Sequence, residues 1–276
     1  MASTKNSEWL VPKSEISFEY LTRFNRNMMI LHLVQGLFMV ILGLFPALQY
    51  SVDIYTIYSK LTILFGIYFL GLSPDPRYAF SFPYVGVLVG SFLLLSALAH
   101  FLIAYPLNDR YQRDLKKGIN RVRWFEYALS SSIMIVLIAV FFGVQSFWIL
   151  FLIFVSNALM NLCGLEMEEL NIYTRRLGEK VKWLPYYLGV IAGAVPWIVI
   201  TAYFINIGGN APWFVYVIYG VELAFFNTFA INMILQYKGV GKWKDYFYGE
   251  RVYQLLSLIS KTSLAWLVFI GVLSPV

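Results

Sequence analysis

The sequence predicts an all-α membrane protein, a bundle of seven transmembrane helices with a β-hairpin in the first extracellular loop. Three observations predict it. Hydrophobic residues make up 59% of the 276 residues and charged residues only 13%, against roughly 25% charged in soluble domains, so lipid is needed as a second solvent. The apolar residues fall into runs of about 20, the length that crosses the hydrocarbon core. The basic residues sit in short clusters between alternate runs, as in cytoplasmic loops. These clusters account for the formal charge of +6, so the expected surroundings are a lipid bilayer and no nucleic acid. The single cysteine, Cys163, excludes an intrachain disulfide and a thiolate metal site. No metal is expected.

The whole chain, 1–276, reads as one domain. Residues 1–26 form a cytoplasmic segment with no signal peptide, because Lys13, Glu15, Glu19, Arg23 and Arg26 crowd the first apolar run. Within it Ile16, Tyr20, Leu21 and Phe24 share a helical face, which predicts a short amphipathic helix in the interface. Spans are expected at 27–48, 82–104, 118–142, 147–165, 184–205, 213–237 and 251–273. Residues 49–81 form an extracellular loop. Its stretch 54–72 is rich in Ile, Tyr, Phe and Thr and is interrupted by Lys60, Gly66 and Gly71. That content favours strands, and about a dozen uninterrupted residues are too few to span. The stretch predicts a hairpin packed on something apolar, with a second copy of the chain as the expected partner.

Charge tests the count of spans. With seven, every one of the 21 Lys and Arg residues except Lys60, Arg77 and Lys261 falls on one side. That places the N-terminus in the cytoplasm and the C-terminus outside. An eighth span over 54–72 would put the later basic loops outside.

Lys261 lies in mid-span, inside LLSLISKTSLAWLVF. A lone ammonium at that depth costs at least ~2.5–3.5 kcal/mol and marks function by default. The chemistry that suits a buried amine is condensation with an aldehyde to a Schiff base, and the cation so formed needs an anion beside it. Two carboxylates fall well inside spans, Glu126 and Glu222. Glu126 is about 9 residues into the third span and Lys261 about 12 into the seventh, which runs the same way, a gap of ~4–5 Å that the lysine stem bridges. Ser130, four residues after Glu126, shares its face and is placed to hydrogen-bond the carboxylate.

The chain resembles the heliorhodopsins, rhodopsins of inverted membrane orientation. The resemblance rests on LHLVQG, LSALAHF, RWFEYALSSS, NALMNLCGLEMEE, AGAVPW, FFNTFAINMILQY and YGERVYQLLSLISKTSLAW in order along the chain. It implies all-trans-retinal on Lys261, Glu126 as counterion, and a hairpin that contacts a second subunit. It also implies a polar cluster of His32, Gln35, Ser96, His100 and Ser257 near the retinal link. Further residues at matching positions are Met134, Asn157, Met160, Pro196, Trp197, Phe226, Asn227 and Trp266, around the chromophore or its polar network. Read without it, Met134, Met160, Phe226 and Trp266 are packing residues, and Asn157 and Asn227 are interhelical glue. Glu166, Glu168 and Glu169 read as a solvated helix end facing Arg175 and Arg176.

Three functions remain distinct. In a photoreceptor, light isomerises retinal and a cytoplasmic partner of unknown identity reads the change. A proton transporter would use Glu222 as a relay. In a seven-helix protein without retinal, Lys261 and Glu126 are purely structural. The absence of an acid three turns after Glu126, where Leu137 stands in an apolar run, favours the photoreceptor over a pump. No enzymatic activity is expected.

Overall fold

In a computed structural model of the chain, residues 10–45, 51–64, 67–82 and 84–273 are described. Helix α1 spans Phe18–Gly43, with Ser17 as N-cap: its Oγ accepts from the Tyr20 amide at 3.1 Å, one of the donors a helix start leaves open. No proline interrupts it, so the amphipathic face at 16–24 continues into the span and is not a separate helix. The helix ends at Gly43, short of the expected 48; residues 46–50 lie outside the described residues. Helix α2, Val85–Ala104, packs on it backbone to backbone, since a Cβ on Gly43 would come within 2.7 Å of the Gly86 Cα. Small residues allow this approach, which membrane helices use in place of hydrophobic drive.

Between them lies the expected hairpin, longer than 54–72. Strand β1, Val52–Leu64, pairs antiparallel with β2, Ile67–Phe82, in a register that sets Ile54 against Phe80 and Lys60 against Ser73. The hairpin consumes Phe82, so the second span starts at Val85. Pro74 and Pro76 are tolerated in β2 because each strand of a two-stranded sheet has an open edge. A lone hairpin is marginal in water. This one is tied down by the Tyr55 amide, which donates to the Gln145 carbonyl at 2.9 Å, by fully buried Ile54, and by Phe80 edge-on to Phe147.

Helix α3, Asn108–Lys117, was not expected, being too short and polar to register as a span; it buries Tyr111, Asp114 and Leu115 and closes on Gly118 at φ 76°, a left-handed turn that suits glycine. Helix α4 therefore starts at Arg121, not 118, and runs to Phe141, capped by Asn120, whose Oδ1 accepts from the Arg123 amide. Helix α5, Phe147–Leu177, extends three turns past the expected end at 165, up to Gly178 at φ 67°. Helices α6, Leu184–Ile207, α7, Trp213–Lys238, and α8, Tyr246–Leu273, complete the bundle; α8 starts before the expected 251. Helices α1, α2 and α4 to α8 are long and apolar enough to cross a membrane, seven in all among the described residues.

The two ends of the bundle differ. Towards the hairpin the core is apolar, built from Ile135, Ile138, Phe142, Phe214, Ile218, Leu264 and Val268. Towards the end where α4 and α8 begin, buried Asn, His, Arg and Glu side chains replace them.

Candidate functional site

Lys261 is buried among α2, α4 and α8. Its Nζ donates to Glu126 Oε1 at 2.7 Å, to Ser96 Oγ at 2.5 Å and to Ser257 Oγ at 3.0 Å, which uses all three ammonium donors. Ser96 Oγ in turn donates to Glu126 Oε1 at 2.6 Å. The Tyr127 ring lies 5.2 Å from Nζ, within cation–π range. The ion pair leaves 3% of the lysine side chain and 8% of the glutamate exposed. At that burial either ion alone would be strongly unfavourable, so each requires the other.

The amine stands at the edge of a cleft lined by Tyr127, Ser131, Met134, Met160, Asn161, Phe226 and Phe229, with Ser257 and Ser260 beside it. Trp197 packs edge-on against Phe226 of the cleft wall at 5.4 Å. Buried Pro196 precedes it inside α6, and Gly193 on the same helix leaves room for the Met160 thioether. The cleft has apolar walls and one reactive polar group, the usual build of a small-molecule site.

His32 and His100 stack at 5.6 Å between ring centres. The Nδ1 of His100 shares a hydrogen bond with Asn25 Oδ1 at 2.8 Å, while both ring nitrogens of His32 are buried without a partner. Gln35 also keeps an unpartnered Oε1. Unsatisfied buried groups are uncommon and mark a place that accepts water or a proton. Asn25 was missed because nothing in its neighbourhood, TRFNRN, singles it out.

The remaining expected residues divide. Ser130 stands beside Glu126, as expected, and Ser96 Oγ donates to the same carboxylate. Asn157 donates to Ser131 of the cleft lining and to Ser132, joining α5 to α4. Asn227 is exposed, bonded to the Leu223 carbonyl of its own helix, and lines a neighbouring groove with Met160, Trp197 and Phe226. Trp266 is 38% exposed and packs on Phe38 of α1, away from the cleft.

A second ionic cluster was not anticipated. Glu168 is fully buried, contrary to a solvated helix end, because α5 continues past it and packs it on α4. It accepts from Arg123 Nη2 at 2.6 Å, Trp124 Nε1 at 2.6 Å, Tyr246 Oη at 3.0 Å and the Asn120 amide at 3.0 Å. Arg123 also pairs with fully buried Glu250, which accepts from Asn120 Nδ2 at 2.7 Å and Gln254 Nε2 at 3.1 Å. Tyr111 of α3 completes it; burial, with the Glu250 charge behind it, pushes this phenol well above its ordinary pKa, so it stays neutral. Glu169 does lie near the surface, but pairs with Arg121 rather than Arg175.

A family model described as Heliorhodopsin matches residues 21–273. This chain belongs to the heliorhodopsin family. No curated protein matches it. A heliorhodopsin is a retinal-binding membrane rhodopsin, so retinal is the cofactor the family implies. The residues fit it: an amine buried at one end, a carboxylate against that amine, and aromatic and thioether walls leading away.

Proposed function

We propose that the chain is a light-sensing photoreceptor in which all-trans-retinal is bound covalently at Lys261 Nζ with Glu126 as its counterion. The observation that carries this reading is the buried Lys261–Glu126 pair, 2.7 Å apart, at the edge of an apolar cleft. Retinal supplies the absorption of light and the change of shape. Glu126 and Ser96 hold the positive charge at the lysine nitrogen. Met134, Met160, Trp197 and Phe226 confine the polyene to one path and exclude water.

The clustering of basic residues on one side supports a cytoplasmic N-terminus, with the polar end of the bundle on that side. His32, His100 and Gln35 then lie on the cytoplasmic side, where the open histidine nitrogens can hold a proton without passing it across the membrane. The other half offers no acid at Leu137, which is buried in the apolar core. A cytoplasmic partner reads the resulting change. We further propose a homodimer in which the hairpin's exposed Ile57, Leu61 and Leu72 are covered by a second copy; a particle of monomer mass in mild detergent would argue against it.

The test of the function is Lys261→Ala. Wild-type apoprotein given all-trans-retinal should develop a visible band that survives denaturation as bound pigment, and the variant should stay colourless. Bound pigment in the variant would remove Lys261 from the mechanism.

A further inference from the structure

Helix α3 is tied to the polar end of the bundle at two depths. Near the surface, Asn108 donates to Thr22 Oγ1 at 3.1 Å and Asp114 pairs with Arg121 at 2.8 Å. Tyr111 reaches deepest. It is 3% exposed, and its hydroxyl donates to Glu250 Oε1 at 3.4 Å and accepts from Gln254 Nε2 at 3.3 Å. Bonds of that length are weak. The other partners of Glu168 and Glu250 stand at 3.1 Å or less, so Tyr111 is the loosest member of the Arg123 cluster. Gln254 keeps a buried Oε1 without a partner, which leaves the hydroxyl a second acceptor on the same amide.

The remaining neighbour of the Tyr111 hydroxyl is Asn25 of α1, fully buried and within hydrogen-bonding reach of it. Asn25 Nδ2 also donates to the Leu21 carbonyl at 2.8 Å, and its Oδ1 faces His100 Nδ1 at 2.8 Å. The amide oxygen accepts there, so Nδ1 carries the imidazole proton and Nε2 the lone pair. His100 stands one turn after Ser96 on α2, and Ser96 touches both Lys261 and Glu126. A line of neighbours thus leads from the lysine through Ser96, His100, Asn25 and Tyr111 to α3. The outer side of α3 exposes Arg110, Arg113 and Lys117. A proton gained by His100 makes its bond to Asn25 charge-assisted, about twice as strong as a neutral one. Asn25 has one amide to divide among three partners, so tightening on His100 weakens its hold on Tyr111.

We propose that α3 is the element by which this chain reports the state of the Lys261 site to the cytoplasm, with Asn25 and Tyr111 as positioning residues that carry the change. The proposal rests on the photoreceptor reading and names its output. In the light the lysine nitrogen gives up its proton and keeps the electron pair, and the proton binds the lone pair of His100 Nε2. Asn25 turns towards the imidazolium, the Tyr111 hydroxyl is left on its two long bonds, and α3 loosens. Return of the proton to the lysine nitrogen restores the dark arrangement.

Amide hydrogen exchange across residues 108–117 tests it, first in the apoprotein and in the dark. Asn25→Leu and Tyr111→Phe should each speed exchange there at least about fivefold, the lower end of typical coupling between sites. The double variant should go no further, because both changes remove one contact. With retinal and continuous light, wild-type exchange across α3 should rise by a similar factor. Tyr111→Phe, with its visible band formed, should then show no difference between light and dark. The light-minus-dark infrared spectrum should contain a tyrosine C–O band that Tyr111→Phe removes, which a merely structural tyrosine would not supply. Unchanged or additive single variants in the apoprotein would overturn the proposal. So would a wild type with an intact visible band but no response in α3, a spectrum without the tyrosine band, or a light response kept in Tyr111→Phe. Failure to form any visible band would overturn the retinal reading instead, and the apoprotein series would still decide whether Asn25 and Tyr111 hold α3 as one.

Discussion

Among the described residues the bundle contains two buried ionic clusters that share α4 and α8, and they are built to opposite plans. Around Arg123, one cation meets two carboxylates, and all four carboxylate oxygens of Glu168 and Glu250 have a partner among Trp124, Tyr246, Asn120, Gln254, Tyr111 and the arginine itself. Around Lys261, one cation meets one carboxylate directly, with Ser96 touching both, and the cluster borders a cleft and a histidine pair in which both ring nitrogens of His32 are open. With every carboxylate oxygen satisfied, the first cluster ties α4 to α5 and α8, although Arg123 Nε and Gln254 Oε1 have no partner. An open cluster tolerates rearrangement of charge, which chemistry requires. The choice of cation follows the same division. The guanidinium fork satisfies several acceptors in a plane and stays charged, whereas a lysine amine can lose its proton and react.

Removing Arg123 is the severest test of this contrast. Arg123→Ala leaves two carboxylates uncompensated in the interior and should cost about 3–5 kcal/mol, seen as a large fall in the unfolding midpoint of the apoprotein. Lys261→Ala strands only Glu126, which keeps Ser96, so its fall should be smaller. Equal losses would mean that the Arg123 cluster is no more structural than the lysine site.

Glu126→Gln and Glu168→Gln sharpen the division between colour and stability. With the charge beside the retinal-bearing nitrogen removed, Glu126→Gln should move the visible band to longer wavelength. Glu168→Gln should leave the band in place and lower stability, because it breaks the pairing with Arg123. A spectrum that ignores Glu126→Gln would point to another anion, with Glu222 the nearest candidate in the core.

The smallest effect is expected from single hydroxyls. Tyr246→Phe removes one hydrogen bond to a charged group, worth about 1.5–3 kcal/mol, and should leave the absorption maximum alone. Ser96→Ala should lose a similar amount of stability and also shift the maximum, since Ser96 touches both Lys261 and Glu126. Matching spectra for the two variants would erase the distinction between the clusters.

Much of this was legible in the sequence, and the exceptions share a cause. The pairing of Lys261 with Glu126 follows from counting residues into two helices that run the same way. Ser96, Ser257 and the two histidines came from the family resemblance, with which one-turn spacing agrees. Glu168 was misread because hydropathy fades after residue 165 and the helix was taken to end there; three more turns, ended by Gly178, carry the acid into the core beside Arg123. Arg123 itself looked like one more basic loop residue, although it is 4% exposed. Polar residues near helix ends read as solvated whenever their partners come from helices distant in sequence.

The sequence by itself determined the number of membrane helices, the hairpin between the first two, and the lysine with its carboxylate. Each depends on a one-dimensional quantity: transfer free energy along the chain, strand-forming content, or depth in residues at a fixed rise. Only the tertiary structure decided which way side chains point around each helix and what they meet. It turned Trp266 away from the cleft, brought Ser96 onto both Lys261 and Glu126, set His32 against His100, and put Ser260 against Glu222. Those outcomes depend on the rotation and crossing of seven helices packed together, where about 100° per residue separates a cleft-lining position from one facing lipid.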